Sequence, residues 1–189
     1  MLAGKNVVVG ISGGVAAHYL PELIGQLRFR HLAVVYAVMT PAAARFISPM
    51  MIGAATGTPV GTDILVDAER DPLAHIHLAQ LADIVLVAPA TYDFIGKIAA
   101  GLADDSVSVL LAASTVPVLL APAMHDTMWK KPILQRNIET LKGAGYHFVP
   151  PETGLQASGE VGEGRMAGIP NIIAALQELS SNTSSETKE

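Results

Sequence analysis

The chain has 189 residues, half of them hydrophobic, with a formal net charge of −5 and no cysteine. This length and composition predict one domain with a substantial core. The missing cysteines exclude disulfides, thiolate metal ligands and a thiol nucleophile, and no Lys/Arg cluster marks a nucleic-acid or anionic-membrane surface.

Short apolar runs alternate with helical patterns from the start of the chain. Near-continuous apolarity is typical of parallel strands that are buried on both faces, and such strands are predicted over 6–11, 33–39, 84–88, 116–120 and 146–149. Helices are predicted over 14–28, 41–48, 73–81, 94–102, 105–113 and 130–143. The alternation predicts an α/β fold, a single doubly wound, Rossmann/flavodoxin-like domain with a mostly parallel sheet. We expect this domain over 1–179 and a disordered polar tail over 180–189.

Only residues 107–124 are long and apolar enough to suggest a membrane span. Pro117, Pro122 and the Ser114-Thr115 step favour a helix, a turn and a short buried strand instead. The first ten residues lack the basic start and cleavage site of a signal peptide. We therefore expect a cytoplasmic protein that binds neither membrane nor nucleic acid.

The first predicted strand runs into a glycine-rich loop, Gly10-Ile11-Ser12-Gly13-Gly14, which opens the first helix. Backbone N–H groups at such a point suit a phosphate, although a tight turn without a ligand explains the glycines as well. The spacing departs from GxGxxG and no acidic residue is placed for a ribose. A mononucleotide is therefore favoured over a dinucleotide.

Two later loops also follow predicted strands and carry small and polar residues. The first, residues 122–129, reads PAMHDTMW and holds the only tryptophan, and the second, residues 154–159, reads GLQASG. Open α/β sheets place ligand-binding loops at this edge. Composition alone interprets Met128 and Trp129 as a packed hydrophobic corner.

The segment PAMHDTMW resembles the PxMNxxMW motif of the flavin-dependent cysteine decarboxylases. This family includes phosphopantothenoylcysteine decarboxylase and the peptidyl-cysteine decarboxylases of lantibiotic-type biosynthesis. Three further motifs agree in order, namely SGGVAA at 12–17, HIHL at 75–78 and PATYDF at 89–94, the last in place of a PASANT-type motif. Four ordered motifs are more specific than one glycine pattern, and the resemblance covers about residues 5 to 179.

The resemblance implies a bound FMN, or FAD as in a few members. It places the cofactor against Ser12, Gly13, Gly14, Val15, Thr40, Phe46, Pro89, Ala90, Thr91, Asp93 and Ala123. In isolation, Thr40 and Phe46 are interpreted as a helix cap and a core aromatic.

The resemblance also makes His75 the acid/base, a role that suits an imidazole. Taken alone, His75 is interpreted as a structural histidine. His77 lies two positions further on, where two helical side chains point apart, so no metal site is expected. The implied substrate-binding residues are Met124, His125, Leu155, Gln156, Ala157 and Ser158.

Three positions depart from the family pattern. Asp93 replaces an asparagine near the flavin, and an ionised carboxylate only accepts hydrogen bonds. His125 replaces the asparagine that binds the substrate carboxylate, a task that a protonated imidazole can also perform. Ser158 replaces the cysteine that helps reduce the enethiol intermediate, and a hydroxyl lacks the acidity and redox chemistry of a thiol.

These departures predict FMN-dependent oxidative decarboxylation of the C-terminal cysteine of a ribosomal precursor peptide, stopping at an aminoenethiol. One alternative is the phosphopantothenoylcysteine decarboxylase of coenzyme A biosynthesis, and another is a non-catalytic flavin-binding regulatory subunit. The partners implied are a Cys-ended peptide or phosphopantothenoylcysteine as substrate, and further copies of the chain in a homotrimer or homododecamer.

Overall fold

The computed structural model describes residues 1–63 and 71–186. A five-stranded parallel sheet has the order β2-β1-β3-β4-β5. Its strands are β1 (Asn6–Ile11), β2 (Val34–Met39), β3 (Ile84–Ala90), β4 (Val118–Pro122) and β5 (His147–Phe148). This flavodoxin-like order reverses between β1 and β3, the point at which such sheets bind ligands. The predicted fold class is confirmed.

Helices cover both faces of the sheet, so each of the strands β1 to β4 contributes side chains to two cores. Val7 and Val9 of β1 pack on one side and Val8 on the other. Helices α1 (Leu20–Phe29), α2 (Pro49–Thr56) and α8 (Ile169–Glu186) cover the first side. The second side carries α3 (Ala74–Leu81), α4 (Tyr92–Ala99), α5 (Ser106–Ala113) and α7 (Pro132–Gly143). Each fully buried Leu or Ile contributes about 1.5–3 kcal/mol, which makes the sheet a rigid support for its loops.

The predicted strands match the structure closely, while the helices differ at their ends. The helix predicted over 130–143 begins two residues later, as α7, because Pro132 occupies its first turn. A separate short helix, α6 (Asp126–Trp129), precedes it. The helix predicted over 94–102 begins earlier, at Tyr92, because Thr91 caps it by accepting from the Phe94 N–H.

The prediction of a helix over 41–48 is wrong. The structure has only a 3₁₀ turn there, Ala43–Arg45, and the α-helix follows at Pro49–Thr56. Ser48 accepts from the Met50 N–H and Pro49 occupies the first turn, which are start signals for a helix beyond Ser48.

Three elements near the C-terminus were not predicted, namely the two strands of a hairpin and the helix α8. β6 (Glu152–Leu155) and β7 (Val161–Arg165) form an antiparallel hairpin. These strands contain glycines and charged residues, which are uncommon in strands, so the sequence does not show the apolar pattern by which a strand is predicted. The backbone of α8 stays helical through Glu186, so 180–186 differs from the disordered tail expected, and 187–189 lies outside the described residues.

The apolar stretch 107–124 divides into the end of α5, a turn and β4, as predicted. Asp105 and Ser108 form a reciprocal capping box that starts α5. Within the part of the chain that the structure describes, no helix has both the length and the apolar character that a bilayer crossing requires.

Candidate flavin and substrate site

The carboxyl ends of β1 and β3 are joined by one buried serine. The Ser12 hydroxyl donates to the Pro89 carbonyl at 2.7 Å and accepts from the Thr91 N–H at 3.0 Å. Ser12 is nearly inaccessible, so it holds two predicted cofactor segments together rather than offering its hydroxyl to a ligand. Pro89 and Ala90 are buried as well.

The two glycines after Ser12 have different neighbours. A Cβ on Gly13 would lie 2.6 Å from the Ala42 Cβ and 2.9 Å from the Ala42 carbonyl carbon, so the loop after β2 requires glycine there. A Cβ on Gly14 would lie 3.0 Å from Thr91 Cγ2. Neither glycine N–H has an acceptor among the described residues, and Gly14 precedes the 3₁₀ helix Val15–Tyr19. Two free donors at this edge fit a phosphate.

The loop after β4 is tied to the hairpin. The Met124 N–H donates to the Gly164 carbonyl at 2.9 Å, and Gln156 Oε1 accepts from the Asp126 N–H at 3.3 Å. A Cβ on Gly164 would lie 2.3 Å from the Met124 carbonyl oxygen, and its φ of +138° also favours glycine. The two loops therefore form one surface although thirty residues separate them.

His125 has protein neighbours at both ring nitrogens. Nδ1 accepts from the Thr127 N–H at 3.3 Å, so the proton of the neutral ring is assigned to Nε2. Nε2 lies 3.3 Å from Ser158 Oγ and 3.4 Å from a Glu160 carboxylate oxygen. Two of the positions that depart from the family pattern are thus in direct contact.

A cavity of about 630 Å³ lies at the carboxyl ends of β1, β3 and β4. Of the predicted residues, its wall contains Gly13, Gly14, Val15, Phe46, Thr91, Asp93, Ala123, Met124, His125, Leu155, Gln156, Ala157 and Ser158. Four predicted residues, Ser12, Thr40, Pro89 and Ala90, lie behind the wall. Thr40 is buried and its hydroxyl accepts from the Ala43 N–H at 3.1 Å, while the N-cap of the 3₁₀ turn is Ala42 rather than Thr40.

His75 lies elsewhere in the single chain. It borders a second cavity, of about 500 Å³, formed by parts of β2, α3 and α5, and the two cavities share no wall residue. His77 pairs with Asp71 at 2.8 Å. This hydrogen bond lowers the pKa of the Asp71 carboxyl from its ordinary value of 3.8. Within the described chain, no three His, Asp or Glu side chains are grouped in a way that suits a metal ion.

Several wall residues were missed from the sequence: His18, Tyr19, Tyr92, Arg165 and Met166. His18 stacks on Tyr19 with ring centroids 3.8 Å apart. The spacing of Val15, His18 and Tyr19 puts them on one helical face, and this signal was present in the sequence. Met128 is 40% exposed and also lines the cavity, so only Trp129 fits the packed corner expected for both.

Comparison with known proteins identifies the class to which this fold and cavity belong. Residues 1–181 match the Flavoprotein family, and the chain belongs to that family. This confirms the predicted family and a flavin as its cofactor class.

The curated relatives belong to coenzyme A biosynthesis. The coenzyme A biosynthesis bifunctional protein CoaBC of Escherichia coli K12 is 44% identical over 172 residues, 91% of this chain and 42% of that protein. CoaBC of Haemophilus influenzae is 41% identical over 178 residues, 94% of this chain and 44% of that protein. The chain thus spans less than half the length of these relatives.

Two solved structures have the same fold over nearly their whole length. One is a PPC decarboxylase mutant, with serine in place of a cysteine, complexed with pantothenoylaminoethenethiol. It is 30% identical with a TM-score of 0.82, covering 92% of this chain and 97% of that one. The other, the FMN-dependent cysteine decarboxylase SpaF, is 32% identical with a TM-score of 0.76, covering 93% of this chain and 99% of that one.

Proposed function

We propose that this protein binds FMN in the 630 Å³ cavity and oxidatively decarboxylates a cysteinyl carboxylate there. The observation that carries the proposal is that one cavity unites the glycine loop, Thr91, the PAMHDTMW loop and the hairpin. The first three belong to motifs that resemble those of flavin-dependent cysteine decarboxylases, and the hairpin carries Ser158 at the position where that family has a cysteine. FMN-dependent cysteine decarboxylases also occur among the solved relatives.

The cavity fits the cofactor in its donor groups and its walls. The free N–H groups of Gly13 and Gly14 suit the phosphate, and Phe46, half exposed in the wall, offers an apolar surface to a ring. When bound, the flavin supplies the two-electron oxidation that labilises the carboxylate. The chain orients the substrate, moves protons and excludes water.

Phosphopantothenoylcysteine is the substrate that the relatives favour. The curated relatives at 41% and 44% identity belong to coenzyme A biosynthesis, and a PPC decarboxylase covers nearly the whole chain. The peptide substrate expected from the sequence therefore becomes the second candidate. It retains support from SpaF at 32% identity and from the departures at His125 and Ser158.

Ser158 bears on the product rather than on the first step. The PPC decarboxylase mutant with serine in place of a cysteine was complexed with pantothenoylaminoethenethiol. Ser158 stands where the family resemblance expects a cysteine, and its hydroxyl is a much weaker acid than a thiol. We infer that the product of this protein is the enethiol, in which case an external oxidant such as dioxygen would have to take up the two electrons removed from the substrate.

The acid/base role of His75 requires a second copy of the chain, because His75 lies outside the wall of the flavin cavity of its own chain. We propose a homotrimer in which His75 of one subunit borders the flavin cavity of the next. A closed ring of identical contacts gives every cavity one such histidine.

The test is incubation of the FMN-loaded protein with phosphopantothenoylcysteine and, separately, with a Cys-ended peptide, followed by mass spectrometry. Loss of about 46 Da, for carbon dioxide and two hydrogens, identifies the enethiol, and the substrate that shows it is the one accepted. A C-terminal amide serves as the unreactive control. A yellow protein that releases carbon dioxide from neither substrate would instead support the non-catalytic, regulatory function.

A further inference from the structure

Among the residues that the structure describes, Arg165 is the only lysine or arginine in the wall of the flavin cavity. It lies near the end of β7, and no carboxylate of the described residues comes within 4.0 Å of its guanidinium. Lys130, which directly follows the adjacent helix α6, is by contrast paired with Asp126 at 2.8 Å. A guanidinium without a carboxylate partner in a cavity wall has its full set of donors available.

The acidic residue opposite Arg165 is engaged elsewhere. Arg165 pairs in register with Glu152 of β6. One Glu152 oxygen accepts from the Gly168 N–H at 2.8 Å and from Asn171 Nδ2 at 2.7 Å. These bonds direct the carboxylate toward the start of α8. Its charge still attracts Arg165 through space, but the two groups do not form an ion pair within 4.0 Å.

Gly154 provides the space for the arginine side chain. A Cβ on Gly154 would lie 3.0 Å from Arg165 Cδ and 3.2 Å from its Nη1, closer than ordinary van der Waals contact. The φ of Gly154 lies outside the left-handed region, so its backbone does not require glycine. Glycine at position 154 therefore leaves room for the Arg165 side chain to lie across the hairpin.

The other polar wall groups do not offer an equivalent anion site. His125 has Ser158 and Glu160 at Nε2. Asp93, the one acidic wall residue in the described part of the chain, offers no hydrogen-bond donor to an anion when it is ionised. The free N–H groups of Gly13 and Gly14 belong to the loop after β1, where the flavin phosphate is expected, so they are not counted as a site for the substrate.

We propose that Arg165 binds an oxyanion of the substrate through a charge-assisted, bidentate contact. This inference rests on the proposed function. The substrate favoured above carries two such groups, a carboxylate and a phosphate monoester, and the planar guanidinium matches both. Arg165 thereby determines which cysteinyl compounds bind with high affinity.

The experiment uses three unreactive serine analogues with the FMN-loaded protein, measured by calorimetry. Phosphopantothenoylserine carries both oxyanions, pantothenoylserine lacks the phosphate, and phosphopantothenoylserine amide lacks the carboxylate. Arg165→Gln should weaken the first analogue on the order of tenfold to 100-fold. If Arg165 binds the phosphate, the substitution should reduce the affinity for the amide by the same factor and leave the affinity for pantothenoylserine unchanged. If Arg165 binds the carboxylate, the substitution should reduce the affinity for pantothenoylserine and leave the affinity for the amide unchanged.

Two further variants test the geometry. Arg136→Gln makes the same substitution at an exposed position outside the cavity and should leave all three affinities unchanged. Gly154→Ala should weaken the same analogue as Arg165→Gln, and the double variant should be no weaker than Arg165→Gln alone, because both act through one contact.

Each contrary result has a distinct meaning. Three outcomes would overturn the assignment of Arg165 while leaving the proposed substrate in place. Arg165→Gln could bind the analogues within twofold of wild type, could lose affinity equally for all three analogues, or could lose affinity only for FMN. Wild-type protein that holds FMN but binds none of the analogues overturns the proposed substrate, and the assignment with it.

Discussion

At the scale of single residues, the contact between His125 and Ser158 distinguishes this chain from the family pattern. Ser158 Oγ lies 3.3 Å from His125 Nε2, on the hairpin that faces the loop after β4. The assigned tautomer makes Nε2 the donor, so the serine hydroxyl accepts from His125. The pair can position a substrate, but its weakly acidic hydroxyl does not replace a thiol.

Ser158→Cys should therefore change the product. The wild-type protein is expected to release an enethiol, with loss of about 46 Da, and the cysteine variant a saturated thiol, with loss of about 44 Da. Mass spectrometry of the product separates the two, and Ser158→Thr, which keeps a hydroxyl, is the control.

Anaerobic absorbance gives a second measurement of the same property. One equivalent of substrate should bleach the visible absorbance of the wild-type holoprotein until air is admitted. Recovery of a saturated thiol from wild-type protein, with colour returning in the absence of air, would refute the role assigned to Ser158.

At the scale of elements, Glu152 joins the hairpin to the C-terminal helix. Its hydrogen bonds from the Gly168 N–H and then from Asn171 lower the pKa of the carboxyl from its ordinary value of 4.5. A carboxyl whose pKa is depressed in the folded state stabilises that state above the unfolded pKa. The stabilisation is lost as the pH falls through the folded value.

Glu152→Gln is expected to lower the melting temperature at pH 7, with a difference from wild type that narrows as the pH falls below about 4.5. Thermal unfolding followed by circular dichroism at several pH values measures it. Glu139→Gln, which removes an exposed pair with Lys142 at 2.9 Å, should have little effect at any pH. If the difference in melting temperature between Glu152→Gln and wild type stays constant from pH 7 to pH 3, the destabilisation comes from altered packing and not from the charge of Glu152.

At the scale of the whole molecule, the separation of His75 from the flavin cavity leads to a prediction about mixed oligomers. His75→Asn should retain flavin and lose about 10²-fold or more in decarboxylation rate. Gly14→Val adds bulk to the wall beside Thr91 and should prevent flavin binding. Each variant alone is expected to be inactive.

Coexpression of the two variants should restore activity, because some cavities then combine an intact wall from one subunit with His75 from another. Decarboxylation by the purified mixed oligomer measures this, and His77→Asn, expected to have a mild effect, is the control for His75. A mixture as inactive as its parents would place His75 and the flavin in the same subunit, or outside the reaction altogether.

Elements whose burial follows from a local residue pattern were predictable from the amino-acid sequence alone. The apolar run from Asn6 to Ile11 is β1 without any shift, and the near-continuous apolarity of the strands correctly indicates a parallel sheet covered on both faces. The loop motifs likewise identified most of the cavity wall, since turn-forming residues after a buried strand mark the ligand-binding edge of such sheets.

The contacts between these loops could not be predicted from the sequence and are seen in the tertiary structure. The hairpin joins the loop after β4 through the contact of Met124 with Gly164, and it brings Arg165 into the wall, although no local pattern distinguishes that arginine from other surface residues. His75 was assigned with the other site residues from motif order, yet the strand order places it at a separate cavity. Local sequence encodes how each residue is buried, whereas contacts between distant residues depend on how the strands assemble.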